Sequence, residues 1–165
     1  MRTFPRLVLS AILLLGAAAP VVAQQTDAIA APPQAEEVAV RAVIDQLFDG
    51  MRQRDTTMIR SAFAPEAQFF GMGPGGTVLV NATSDFITSI SQAPADMVLD
   101  EVLHEVEIRV DGPLAIAWTE YDFFAGEDFS HCGYNSFQLL KLRDEWKIVS
   151  VADSRRREGC RQQRS

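Results

Sequence analysis

The sequence predicts an α+β architecture, three helices packed on one curved, mainly antiparallel sheet in the shape of a cone. Two observations carry this. Apolar residues recur at three-to-four spacing as far as Pro94, and from Val98 to Arg155 they alternate with polar ones between turn-forming pairs. Length and composition fit one domain: 165 residues, 47% hydrophobic and 22% charged, which is the make-up of a folded chain and excludes disorder as its main state.

Taken in order, the chain opens on a positive stretch (Arg2, Arg6), an uncharged apolar run from Leu7 to Ala19, and small residues at Val21 and Ala23. This is the pattern of an export signal cleaved after residue 23, and the apolar run is short for a membrane span. It predicts a periplasmic or secreted protein with no membrane association after cleavage. Residues 24–35, rich in Ala, Gln and Pro without periodicity, read as a flexible leader. The domain then covers 36–160, and 161–165 form a basic tail. Val40, Val43, Ile44, Leu47, Phe48 and Met51 form the stripe of the first helix, with Glu36 and Glu37 in its first turn and Arg52 and Arg54 in its last. Asp55 caps a second helix carrying Met58, Ile59, Ala62 and Phe63, ended by Pro65. A brief strand at 68–70, a turn at Gly73-Pro74-Gly75-Gly76 and a strand at 77–80 follow; the GxGxxG spacing there is a turn, since a strand and not a helix comes next. Ser84 caps the third helix, which bears Phe86, Ile87 and Ile90.

After Pro94 the strands run 98–110, 114–124, 129–142 and 146–155, joined at Asp111-Gly112, Gly126-Glu127-Asp128 and Asp144-Glu145. Placing the turns fixes the register. Val110 opposite Pro113 sets His104 against Thr119, and the next turn sets Thr119 against Asn135, Ala117 against Phe137, Tyr121 against Gly133 and Phe123 against His131. One face then has two apolar rows followed by a polar row of His104, Thr119 and Asn135. The last hairpin extends that row with Ser154 or with Asp153, depending on the turn length. Packed under helix one, such a face closes at its apolar end and stays open at its polar end, because buried polar groups need partners or solvent. The other face carries Leu103, Leu114, Ile116, Trp118 and Leu140 among Glu105, Glu107 and Arg109, which points to a homodimer through that sheet. Lys141 and Lys147 read as solvated charges near the closed end.

The run Tyr121-x-Phe123, His131-Cys132-Gly133, Phe137-x-Leu139, Trp146-Lys147-Ile148, Asp153-x-Arg155-Arg156 and Cys160, within a helices-then-meander order over Glu36 to about Arg157, resembles the nuclear transport factor 2-like superfamily. That superfamily includes ketosteroid isomerases, scytalone dehydratase and SnoaL-like polyketide cyclases. The run is similar to small exported bacterial members, some described as lumazine-binding-like or SnoaL-like. The resemblance implies the cone-shaped fold and a pocket between helices and sheet. It implies no particular reaction, since helix one lacks the tyrosine of the isomerase pattern.

Of the candidate groups, only the two histidines titrate near neutrality from ordinary values. His131, at the wide end, with Asp153 is the candidate acid–base pair. His104, Thr119, Tyr121, Phe123, Asn135 and Arg155 are the candidate ligand-binding groups. Two converging ligands are too few for a metal site, so no metal and no cofactor are expected. A formal charge of −7 argues against a nucleic-acid partner, although Arg155, Arg156, Arg157, Arg161 and Arg164 crowd the last eleven residues. Cys132 falls opposite Arg156 or Arg157, so Cys160 reaches it if the chain curls back. The pair is then either a disulfide pinning the tail over the pocket mouth, as an oxidising compartment allows, or two free thiols. The expected partner is a small, largely apolar molecule; the expected activity is binding, or cofactor-independent lyase, isomerase or hydrolase chemistry. The alternative is a non-catalytic dimeric interaction module.

Overall fold

The computed structural model describes residues 33–164, so the expected export signal (1–23) and nearly all of the expected leader (24–35) lie outside the described residues. The first helix, α1 (Pro33–Gln53), begins at Pro33, three residues before Glu36; proline suits a helix's first turn, where its missing N–H has no partner to lose. Val40, Ile44, Leu47, Phe48 and Met51 are all buried, as their spacing requires. Asp55 caps α2 (Thr56–Ala62), its side chain accepting from the Thr57 and Met58 amides. Phe63 and Pro65 belong instead to β1 (Phe63–Met72), which is longer than the apolar triplet at 68–70 indicates. A 3₁₀ turn at Pro74–Gly76 leads to β2 (Val78–Ala82) and α3 (Thr83–Gln92). Ser84 does not cap α3; Ala82 holds the cap position and makes no side-chain bond there. The far end of α3 is closed from the turn after α1, where Arg54 donates to the carbonyls of Ser91, Ala93 and Pro94. That binding supplies the cation a helix C-terminus favours.

The long strands β3 (Leu99–Asp111), β4 (Leu114–Ala125), β5 (Asp128–Leu142) and β6 (Glu145–Asp153) form a meander. The six-stranded sheet has the order β2-β1-β6-β5-β4-β3, and only β1 and β6 pair in parallel. The α+β prediction of three helices on a curved, mainly antiparallel sheet holds. The β4–β5 register is the one read from the sequence, with Thr119 opposite Asn135, Ala117 opposite Phe137 and Phe123 opposite His131.

The β3–β4 register differs. Leu114 pairs with Asp111, so Ile108 faces Ala117 and Val106 faces Thr119. A bulge between Leu103 and Val106 then shifts the pairing, and upstream Leu103 faces Tyr121 and Glu101 faces Phe123. One extra residue reverses which side chains point inward. His104 therefore leaves the concave face for the convex one, while Glu101 and Leu103 turn inward. The last turn is Arg143-Asp144, one residue earlier than Asp144-Glu145, and a second bulge, between Gln138 and Leu139, then shifts the register so that Asp153 and not Ser154 faces Asn135.

Helix and sheet are also joined by charge. Glu36 accepts from Lys141 Nζ at 2.7 Å and from Trp146 Nε1 at 2.8 Å. The Lys141 bond, then the Trp146 bond, hold its carboxyl below the ordinary range. Lys141 is thus a tether between α1 and β5 and not a freely solvated charge; Lys147 likewise donates to the Ser61 carbonyl and pairs with Glu145.

Candidate functional site

The cone closes on Ala115, Ala117, Phe137, Leu139 and Ile148, all buried. Its wide end encloses a cavity of about 930 Å³. Phe48 and Met51 of α1, Phe69 of β1, Phe86 of α3, and Phe137 and Val151 of the sheet form the apolar wall. Glu101, Asn135 and Asp153 line it from the sheet, and Ser154 and Arg155 line it just beyond β6. Asp85 and Ser89 of α3 and Asn81 of β2 add a polar edge on the far side. An apolar concavity of this size with a few convergent polar groups is the usual form of a small-molecule site.

The polar groups are linked. Asn135 Nδ2 donates to Glu101 Oε1 at 2.6 Å and lies 3.3 Å from Thr119 Oγ1. Arg155 Nε donates to Asp153 Oδ2 at 2.5 Å. Glu101 is pushed up to about 7, chiefly by burial; the Asn135 bond opposes the shift and the Asp153 charge adds to it. Near neutral pH it therefore holds a proton in a measurable fraction of molecules and can both give and take one.

Of the residues expected at the site, Asn135, Asp153 and Arg155 line the cavity. Thr119 is fully buried behind Asn135. Tyr121 is also buried, and its hydroxyl donates to the Ser154 carbonyl at 2.9 Å, so it supports the chain that carries Asp153 and Arg155. Burial, then the charges of Glu101 and Asp153, push its phenol pKa up. Gly133, opposite Tyr121, is required by the same approach, because a Cβ there would sit on the Ser154 carbonyl. His131 and Phe123 share the concave row with Glu101 but stand outside the cavity lining. The His131 ring meets Phe123 at 5.1 Å and Tyr121 edge-on at 5.7 Å. Burial, then the Arg155 charge, lower its pKa below the ordinary 6.5. His104 is not in the polar row: on the convex face its Nε2 lies 2.9 Å from Asp122 Oδ2.

The sequence reading passes over Glu101, along with Asn81, Asp85 and Ser89 on the far edge. The period-two position of Glu101 marks it as outward-facing, and only the bulge brings it in.

Cys132 and Cys160 form a disulfide. Arg156 bridges Cys132 as the register implies. The tail it pins does not cover the pocket mouth. It crosses the convex face, where Arg161 reaches Glu105 and Glu120, the Gln163 amide donates to Asp122, and Arg164 lies over Phe124. Among the described residues no helix is long and apolar enough to cross a membrane.

The chain has the nuclear transport factor 2-like fold, and solved structures share it. The chain is similar to a nuclear transport factor 2-like protein of Silicibacter pomeroyi (22% identity, TM-score 0.61, covering 76% of this chain and 99% of that one). It is similar to one from Shewanella baltica (19%, TM-score 0.58, 76% and 97%), and to a protein of Streptomyces avermitilis described as a putative dehydratase (17%, TM-score 0.61, 76% and 99%). No curated protein matches the chain. The chain belongs to the family described as "Putative lumazine-binding", which matches residues 35–152.

Proposed function

We propose that this is an exported binding protein for a small, flat, uncharged and largely apolar molecule, with Glu101 able to exchange a proton with what is bound. The carrying observation is the open cavity of about 930 Å³ whose one polar end joins Glu101, Asn135, Asp153 and Arg155. Aromatic walls favour a planar ligand. The charges lining the cavity favour a neutral or cationic ligand over an anionic one: Asp85, Glu101 and Asp153 stand against Arg155 alone, and that guanidinium is already bound to Asp153. The family's description names lumazine, a planar and uncharged ligand, and supports that part of the reading. Residues 1–23 act as the export signal, and the disulfide fits an oxidising compartment. Leu114, Ile116 and Trp118, each about half exposed on the convex face, support a homodimer.

A thermal-shift screen of the mature protein tests this, using lumazine, ribityl-lumazine and riboflavin against their phosphorylated counterparts. Uncharged compounds should stabilise the wild type; Asp153→Asn and Asn135→Ala should each abolish the shift, and His131→Ala should weaken it. Solvent deuterium entering a bound compound in the wild type but not in Glu101→Gln would add acid–base catalysis to binding. Shifts equal in all variants would move the site elsewhere, and no shift with any compound would favour the alternative of a dimeric interaction module.

A further inference from the structure

The convex face carries a chemical cluster that the cavity does not use. The β3 bulge sets His104 beside Asp122, strand pairing sets Asp122 opposite Cys132, and the disulfide brings in Cys160. An Asp122 carboxylate oxygen and the two sulfurs all lie within 4.8 Å of one another, and His104 Nε2 is 2.9 Å from Asp122 Oδ2. Asp122 and Cys132 are almost fully buried.

We propose that Cys132, Cys160, Asp122 and His104 are a redox-gated site for a divalent cation of the zinc class, closed by the disulfide and opened when a dithiol reduces it. The exchange balances. The dithiol gives two electrons and leaves as its own disulfide, the Cys132–Cys160 bond breaks, and each sulfur takes a proton. The entering cation displaces both thiol protons to solvent. His104 offers Nε2, with its ring proton on Nδ1, and the Asp122 carboxylate supplies the fourth ligand. Two thiolates, an imidazole and a carboxylate are a donor set that zinc takes in tetrahedral geometry.

Asp122 and the two sulfurs already lie within 4.8 Å of one another, whereas His104 stands outside that group, against Asp122, and has to swing toward the sulfurs to ligate. With bonds of about 2.0–2.3 Å, tetrahedral donors stand roughly 3.3–3.8 Å apart, so the imidazole and carboxylate need to part by about half an ångström. The cysteine Cα atoms are 5.7 Å apart. Cys160 follows Gly159, whose φ is +65°, in an exposed tail, and that segment has room to adjust. The energetics also favour a cation. An uncharged disulfide offers the buried Asp122 carboxylate no opposite charge beyond the bonds at Oδ2 from the Gln163 amide and His104, whereas a divalent ion would offset two of the three negative charges of carboxylate and thiolates. The tail would then have two pinned states, bridged and metal-bound, and one released state, reduced and metal-free.

The test titrates the full chain, reduced and freed of metal by chelation, with Co²⁺ and then Zn²⁺. One equivalent of Co²⁺ should give thiolate-to-cobalt absorption and the visible bands of a tetrahedral ion, both removed by Zn²⁺; the oxidised chain should give neither. Zn²⁺ should also protect the arginine-rich tail of the reduced chain from trypsin. Asp122→Asn and His104→Ala should each weaken Co²⁺ binding roughly tenfold or more. Absence of the bands in the reduced chain overturns the proposal, as do bands indifferent to both substitutions, which would mean that thiols alone hold the ion. Cys160→Ser, in the exposed tail, guards against misfolding of the buried variants: unchanged Co²⁺ affinity there overturns the site as well.

Discussion

Replacing Glu101 with glutamine should stabilise the protein at alkaline pH, although it removes a proposed site group. The folded-state value of about 7 lies above the ordinary 4.5. Between those values the folded chain holds a proton that the unfolded chain has released, so stability falls as pH rises through the window, and the loss is complete above the folded value. Each pH unit costs about 1.4 kcal/mol, so the window amounts to about 3 kcal/mol, or about 2 kcal/mol with allowance for water in the cavity that Glu101 lines. Glutamine keeps an acceptor for Asn135 and carries no charge, so Glu101→Gln should match the wild type near pH 4.5 and exceed it by about 2–3 kcal/mol at pH 8.5, roughly 10 °C in Tm. Urea unfolding of both proteins at the two pH values measures this. Other titrating groups cancel in the difference. An equal change with pH in wild type and variant would refute the raised pKa and, with it, the proton-exchange role.

His131 should behave in the opposite sense. Its folded value is lowered, so the unfolded chain takes the proton first and stability is lost as pH falls through 6.5; His131→Phe should remove that acid limb, and the His131 ring proton should titrate below 6.5 by NMR. Replacing both Cys132 and Cys160 with serine opens a link between residues 28 apart and should cost about 3–4 kcal/mol in denaturant unfolding, the loop-closure estimate for that separation. Gly133→Ala should cost about 1–3 kcal/mol by forcing the Ser154 carbonyl away from the sheet, and the detached Tyr121 should show in its near-ultraviolet absorbance. Trp118→Arg should convert the proposed dimer to monomer in sedimentation velocity, since the indole is half exposed and stacks on Tyr134.

Periodicity alone made the helices, the meander and the apolar rows legible, because burying one face of a helix or strand imposes a repeat of 3.6 or 2 on the sequence. It also set Asn135 opposite Thr119, through turns that glycine and aspartate mark, and left Asp153 or Ser154 as its neighbour on the last strand. Tertiary structure decided the rest through two bulges, at Leu103–Val106 and at Gln138–Leu139. A bulge has no composition of its own: it is an extra residue whose cost depends on sheet curvature and on neighbouring strands. For that reason Glu101 looked exposed and His104 looked like a pocket residue, when the fold exchanges them. The lie of the tail is of the same kind. Two cysteines indicate that the chain can return, but only the convex-face acids Glu105, Glu120 and Asp122 draw the arginine-rich segment to that side of the sheet.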